Sequence, residues 1–212
     1  MAEDKRNQVD TSPQEICRFW FGELDADGRA SLETEARWFN KDPQFDSRVR
    51  ERFEPVFEAA LDGALRAWGQ EPMSALALIL VLDQFSRNMF RGQAKMYSGD
   101  AIALQVAKEG LRAGFDAKMG FAERTFFRMP LMHSEVLADQ EACVATFEAL
   151  ARTYRDAGQD ALATAVEDTI KFAVAHRDIV AKWGRFPHRN AILGRTSTPE
   201  EVAFLGEPGS SF

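Results

Sequence analysis

The pattern of apolar and polar residues along the chain is helical. Apolar residues recur every three or four positions over most of its length, and segments with the two-residue period of a strand are almost absent. The clearest stripe lies between Leu131 and about Ala157, and its members are Val136, Gln140, Cys143, Phe147, Leu150 and Tyr154. A second long stretch, about Asp160–Trp183, is followed by Gly184, a residue typical of a helix C-terminus.

Three helix starts are marked by a capping residue that a proline follows. They predict a short aromatic-rich helix, a long helix that reaches about Trp68, and a helix near the end of the sequence. The three dipeptides are Ser12-Pro13, Asp42-Pro43 and Thr198-Pro199.

Residues 75–82 are apolar on every face, and we predict that they belong to a helix over about Pro72–Asn88 at the centre of a bundle. A buried strand is the competing interpretation, but alanine and leucine favour a helix and no hairpin turn flanks the run. Two further helices are predicted, one from Asp100 to about Gly114 and one over Ala122–Met129, before Pro130.

This organisation predicts an all-α fold of about seven to nine helices with short loops, in which neighbouring helices are antiparallel. No internal repeat of fixed period and no low-complexity linker marks a second domain. We therefore predict a single helical domain over residues 12–212, preceded by a flexible N-terminal tail over residues 1–11.

Charge and cysteine content limit the classes of protein to which the chain can belong. The 212 residues include 26 basic and 33 acidic ones, so the net charge is −7, which argues against nucleic acid or an anionic membrane as the main partner. The N-terminal residues are charged where a signal peptide is apolar. Cys17 and Cys143 lie far apart and are expected to be reduced thiols. These features predict a cytoplasmic protein and leave its oligomeric state open.

Polar residues interrupt the apolar stripes and point to a candidate site. His133 and Gln140 share one face of the stretch after Leu131, and Arg177 falls in the apolar stripe of the last long helix, which is expected to be enclosed on both sides. We predict that three helix ends bring the following residues into one polar pocket: Asp83, Arg87, Asn88, His133, Gln140, Arg177, Asp178, His188, Arg189 and Asn190. Such a pocket suits a carboxylate, a phosphate or a peptide backbone, because arginine binds planar oxyanions through two hydrogen bonds.

An architectural role is the alternative for the same residues. Asp83 and Arg87 have the i,i+4 spacing of a structural ion pair, and Arg177 would then bind helix C-terminal carbonyl groups. In that interpretation His133 is a core histidine with satisfied hydrogen bonds. Glu135 and Asp139 are expected to face solvent or a neighbouring arginine.

Familiar catalytic and cofactor motifs are absent from the sequence. It contains no phosphate-binding loop, no dinucleotide-binding glycine pattern, no Gly-x-Ser-x-Gly and no His-Glu-x-x-His. The histidines and cysteines also lack the spacing of metal ligands. We therefore predict no cofactor and no metal, and an enzyme of this sequence would depend on acid–base or electrostatic chemistry.

Several strings resemble the bacterial domain-of-unknown-function family 924. The longest spans Gly184–Asn190, and others are Leu82-Asp83-Gln84-Phe85, His176-Arg177-Asp178 and the stretch from Pro208 to Phe212. The resemblance covers nearly the whole chain and implies a tetratricopeptide-like superhelical fold, with no established activity and no catalytic residues to carry over. Ser86 departs from the family pattern, which usually has proline there.

Two functional hypotheses follow. The first is a binding or scaffold module that holds a peptide or small anion in the polar pocket. The second is a hydrolase or transferase with His188 or His133 as general base and Arg87, Arg177 and Arg189 as anion-stabilising groups. Because the matched C-terminal string ends at Phe212, we also expect the ring and carboxylate of that residue to bind the helical body.

Overall fold

The structure, a computed structural model, describes residues 10–211. Within this range all regular structure is helical and no strand occurs, which confirms the predicted all-α class. The helices are α1 (Pro13–Phe21), α2 (Leu32–Phe39), α3 (Pro43–Leu61), α4 (Pro72–Ile79), α5 (Ser86–Met89), α6 (Asp100–Arg112), α7 (Phe121–Met132), α8 (Leu137–Asp156), α9 (Asp160–Trp183) and α10 (Pro199–Leu205). None of the helices in residues 10–211 is long and apolar enough to cross a membrane.

The chain divides into two compact units, the first ending at Pro130 and the second beginning at Leu131. The single domain over residues 12–212 stays a prediction, because this division does not decide whether the units fold separately. The predicted flexible tail also stays a prediction, since residues 1–9 and the expected binding of Phe212 lie outside the described residues. The tetratricopeptide-like arrangement likewise stays a prediction.

The first unit is built around the apolar run. Helix α4 continues through a π-helical segment, Leu80–Phe85, into α5, so the chain is helical from Pro72 to Met89. Every residue of the run 75–82 is at most 2% exposed, which confirms its predicted place inside the core. Helix α1 is capped as predicted, because the Ser12 hydroxyl accepts the Glu15 backbone N–H and the Glu15 carboxylate accepts the Ser12 N–H.

Two boundaries in the first unit differ from the prediction. Helix α3 ends at Leu61 rather than near Trp68, because the chain turns at Gly63 with a φ of 79°. Helix α7 runs to Met132 and contains Pro130 instead of ending before it. The proline lies in the last turn, where its missing N–H removes one i→i−4 hydrogen bond and only two helical residues follow it.

The second unit contains the antiparallel pair α8 and α9 and the short helix α10. Helix α9 ends before Gly184, whose φ is 67°, as predicted. The predicted helix start at Thr198-Pro199 is also confirmed, and Thr198 and Glu201 form a capping box there. The loop after α9 is held by Phe186, which is fully buried and packs with Ile179.

Helix α8 begins at Leu137, so the predicted helix from Leu131 is interrupted. Side-chain hydrogen bonds hold the chain in a turn at residues 133–136: the Ser134 hydroxyl donates to Asp139 at 2.8 Å and accepts the Val136 N–H at 3.2 Å. Serine and aspartate compete in this way with backbone helical bonds. His133 therefore lies on a turn and not on the face of a helix.

Candidate functional site

In the first unit, Asp83 and Arg87 form part of an ion-pair network. The Asp83 side chain is fully buried in the π-helical segment, and Arg87 Nη1 lies 3.1 Å from its Oδ1. The Arg87 guanidinium also donates to both carboxylate oxygens of Asp100 at 3.1 Å. Gln84 donates to the second Asp83 oxygen at 2.5 Å. These contacts fit the architectural interpretation of Asp83 and Arg87.

Asn88 belongs to a second polar group of the same unit. Its side-chain amide donates to Asp46 at 2.7 Å, and the guanidinium of Arg91 donates to the same carboxylate at 2.9 and 3.1 Å. Asp46 lies in the first turn of α3, so these bonds connect that helix with the end of α5. Asn88 therefore also has a structural role in the first unit.

The remaining predicted site residues lie in the second unit, and the pocket that was expected to join all ten stays a prediction. Gln140 is fully buried, and its amide nitrogen donates to the carbonyl groups of Met132 at 2.7 Å and Ser134 at 2.6 Å. It thereby holds the turn before α8. Asp139, expected to face solvent or a neighbouring arginine, does not face solvent: its side chain is buried and accepts the Ser134 hydroxyl.

Arg177 and Asp178 form a local pair near the surface. The Arg177 Nε and Nη2 atoms donate to Asp178 at 3.0 and 2.7 Å, and the two side chains are 34% and 61% exposed. Phe172, on the same helix, is 60% exposed. The expectation that α9 is enclosed on both sides is therefore wrong, because this part of the helix faces outward.

Two imidazoles and a guanidinium surround the ring of Phe186. The ring centroids of His176 and His188 lie 5.6 and 5.5 Å from that of Phe186, and the Arg189 guanidinium carbon lies 4.5 Å from it. The His133 ring lies 6.4 Å from the His176 ring. We call these five residues the Phe186 cluster, and all of them belong to the second unit.

Burial holds both contacting histidines in the neutral form. Burial, with smaller contributions from the nearby His133 and Arg189, lowers the pKa of His176 to about 3, although the hydrogen bond to the Phe172 carbonyl opposes this shift. Burial and the neighbouring Arg189 likewise lower the pKa of His188 to about 4, although the Glu135 carboxylate and a hydrogen bond to the Ser210 backbone oppose this. Both imidazoles are therefore uncharged at neutral pH.

The His176 tautomer follows from its contact with the helix. Its Nδ1 lies 2.8 Å from the Phe172 carbonyl oxygen, one turn earlier in α9. A carbonyl oxygen only accepts, so Nδ1 carries the proton and the neutral ring presents Nε2 as an acceptor.

The loop that carries the cluster is held by two acidic residues. Glu135 accepts the Phe186 backbone N–H at 2.7 Å and the Arg195 guanidinium at 2.6 and 2.9 Å. Burial opposes the Glu135 charge, but these bonds outweigh it and lower the pKa of its carboxyl group. Glu201 accepts both arms of Arg185 at 2.7 Å.

Asn190, the last predicted residue of the loop, is 1% exposed. Its amide nitrogen donates to the Ser197 hydroxyl at 3.0 Å and to Glu201 at 3.3 Å. Its Oδ1 atom is buried and has no hydrogen-bond partner among residues 10–211. A buried acceptor of this kind is suited to a donor group from water or from a ligand.

Sequence reasoning named His133, His188 and Arg189 as site residues, and the structure brings these three into one cluster. It missed the roles of His176 and Phe186. The string Gly184–Asn190 was already singled out, and the close succession of Phe186, His188 and Arg189 in it is the signal for such an aromatic-centred group. In the part of the chain that the structure describes, no group of three or more His, Cys, Asp or Glu side chains is arranged to hold a metal ion.

Comparisons with known proteins agree with the fold. The model of a bacterial family of proteins of unknown function, DUF924, matches residues 16–209. Among solved structures, the chain is similar to a protein of unknown function from Agrobacterium tumefaciens, with 36% sequence identity and a TM-score of 0.72. The similarity covers 92% of this chain and 96% of that one. No curated protein matches the chain.

Proposed function

Because the chain belongs to the DUF924 family of bacterial proteins of unknown function, we propose a function from its own residues: the second unit is a binding module for a small molecule or peptide that carries a carboxylate or phosphate group. The observation that carries the proposal is the arrangement of His176, His188 and Arg189 around the ring of Phe186.

The chemistry of these groups supports an anionic ligand. A guanidinium group presents a planar fork of N–H donors that matches a carboxylate or phosphate. Its position above the Phe186 ring fixes that plane through a cation–π contact. At neutral pH the uncharged imidazole of His188 supplies a hydrogen-bonding group beside the Arg189 guanidinium and adds no second charge.

The test is a titration of the full chain with inorganic phosphate and with acetate, followed by calorimetry and by NMR of the histidine rings. We expect saturable binding of at least one anion that shifts the resonances of His176 and His188. Arg189→Gln and His188→Gln should weaken it strongly. Lys171→Gln is the matched control, because Lys171 is an exposed cation of α9 paired with Asp168. An equal loss in the control would show that only general charge attraction is at work.

A second candidate function is a hydrolase or transferase in which His188 or His133 acts as general base. The neutral state of His188 favours it, because only an unprotonated imidazole can accept a proton. A pKa near 4 makes His188 a weak base, however, which ranks binding first. Turnover of p-nitrophenyl acetate or p-nitrophenyl phosphate that disappears in His188→Ala would reverse this order.

We also propose that the protein acts in the cytoplasm. Cys17 and Cys143 are both buried thiols, which suits a reducing compartment. Fractionation of cells that express the full chain is the test: recovery in the cytoplasmic fraction supports the proposal, and recovery outside the inner membrane contradicts it.

A further inference from the structure

One ion pair binds both backbone polar groups of Phe186, its N–H and its carbonyl oxygen. Its N–H donates to Glu135 at 2.7 Å, and its carbonyl oxygen accepts Arg195 Nη2 at 3.2 Å. Arg195 and Glu135 are joined to each other by two hydrogen bonds at 2.6 and 2.9 Å. A closed set of hydrogen bonds therefore connects the turn before α8, the loop after α9 and the segment that follows that loop.

The Glu135–Arg195 ion pair binds the backbone of Phe186, whose ring lies at the centre of the Phe186 cluster. The side chains of His176, His188 and Arg189 all contact the Phe186 ring, so a displaced ring would change the surroundings of each. The ring is fully buried and packs with Ile179, and the two backbone bonds fix the position from which the ring enters this packing.

We propose that Glu135 and Arg195 are positioning residues for the anion site: they place the Phe186 ring, and through it the imidazoles and guanidinium group that contact a ligand. This proposal rests on the function proposed above. Arginine is required for the role because its planar fork spans both Glu135 oxygens while a third N–H reaches the Phe186 carbonyl, whereas a lysine ammonium is a compact donor without that fork.

Arg195→Lys is the direct test, because it keeps the positive charge and removes the fork. The proton spectrum of the folded full chain reports the ring geometry, since an aromatic ring shifts the resonances of nearby imidazole protons. We expect the Cε1 protons of both His176 and His188 to shift together, and the dissociation constant for inorganic phosphate to rise about fivefold or more.

Arg155→Lys is the matched control, because Arg155 forms an exposed ion pair with Glu167 in the same unit. It should leave both histidine resonances and phosphate binding unchanged. A second pair of variants separates positioning from charge: Glu135→Gln keeps an acceptor for the Phe186 N–H, whereas Glu135→Ala removes it. The histidine shifts should therefore be smaller in Glu135→Gln than in Glu135→Ala.

Unchanged histidine resonances in Arg195→Lys, with only a lower melting temperature, would overturn the proposal and leave the pair a purely stabilising one. If Arg195→Lys does not fold, equal shifts in the two Glu135 variants would overturn it instead. If the proposed function is wrong, the wild-type chain will not bind phosphate or acetate. The histidine shifts of the variants will still report the position of the Phe186 ring, so the two failures can be told apart.

Discussion

The carboxylate of Glu201 accepts two hydrogen bonds from the guanidinium group of Arg185, both at 2.7 Å. The same carboxylate accepts the Thr198 backbone N–H at 2.8 Å and so caps α10. One buried acid of α10 therefore ties Arg185, at the start of the loop after α9, to the helix that follows that loop. The Glu135–Arg195 pair connects Phe186, near the start of that loop, with the segment that follows it, and together the two pairs leave the loop little freedom.

Glu201→Gln should lower stability at neutral pH and lose this effect in acid. The hydrogen bonds from Arg185 and Thr198 lower the pKa of Glu201 from 4.5 to about 2. A carboxyl group with a depressed pKa stabilises the fold above its ordinary pKa, and the contribution is lost as the pH falls towards the folded value. Urea denaturation at a series of pH values should show the difference between wild type and variant shrinking between about pH 4.5 and 2. A difference that stays constant across this range would contradict the assignment.

The buried neutral state of His176 predicts a loss of stability in weak acid. Below its ordinary pKa of 6.5 the unfolded chain takes up a proton, whereas the folded chain does not until about pH 3. Stability therefore falls with decreasing pH, with a slope that approaches about 1.4 kcal/mol per pH unit from this residue. His176→Gln should make the decline shallower between pH 6.5 and 4.5, above the range in which Glu201 acts. An unchanged slope would show that His176 is already protonated in the folded chain.

Local signals in the sequence predicted much of the fold. The capping boxes of Ser12 and Thr198 and the glycine at 184 lie within a few residues of the helix ends that they determine, so the sequence identifies those ends directly. The uniformly apolar run 75–82 likewise predicted its own burial.

The turn at residues 133–136 could not be read from the same pattern. The apolar spacing is continuous across it, and the chain leaves the helix because the Ser134 and Gln140 side chains take over bonds to the backbone. The choice between these bonds and a continued helix depends on packing around a fully buried Gln140, which a single sequence does not reveal.

The sequence identified several residues of the candidate site, but it did not predict the contacts between them. His188 and Arg189 lie in a loop whose Gly and Pro residues marked it as irregular, and local sequence was enough to nominate them. Glu135 was expected to face solvent or an arginine, and its partners Phe186 and Arg195 lie 51 and 60 residues further along the chain. Pairings over such separations are set by the tertiary fold.

Gly28→Ala should destabilise the first unit severely. Gly28 has a φ of 74°, and a Cβ atom there would lie 2.5 Å from the Cα of Gly120 and from the backbone nitrogen of Phe121. Gly63→Ala is the control, because Gly63 has a φ of 79° but nothing within 4 Å of its Cβ position. The control isolates the cost of the backbone conformation, about 1 kcal/mol. Thermal denaturation should show a larger loss for Gly28→Ala, and equal losses would show that this close approach does not occur.

The thiol of Cys17 should be nearly inert in the folded chain. Burial raises its pKa to about 12, with a further contribution from the charge of Glu123, so very little thiolate is present at neutral pH. Because the thiolate is the reactive form, its reaction with Ellman's reagent should be slower by about a thousandfold than in urea. Cys143→Ser removes the second thiol and assigns the kinetics to Cys17. Rapid reaction of the folded variant would show that this part of α1 is open to solvent.

Arg87→Met distinguishes a structural role of Arg87 from the ligand-binding role that the sequence suggested. The variant removes the cation beside the fully buried Asp83 carboxylate, and breaking such a buried pair costs about 3–5 kcal/mol. Adding Asp83→Asn in the same chain should recover part of this loss, because the buried negative charge disappears with its partner. Arg50→Met, which breaks the exposed i,i+4 pair with Glu54, should cost much less stability than Arg87→Met. Urea denaturation measures all three. If Arg87→Met instead keeps full stability but loses phosphate binding, Arg87 is a ligand-binding residue and its pairing with Asp83 is secondary.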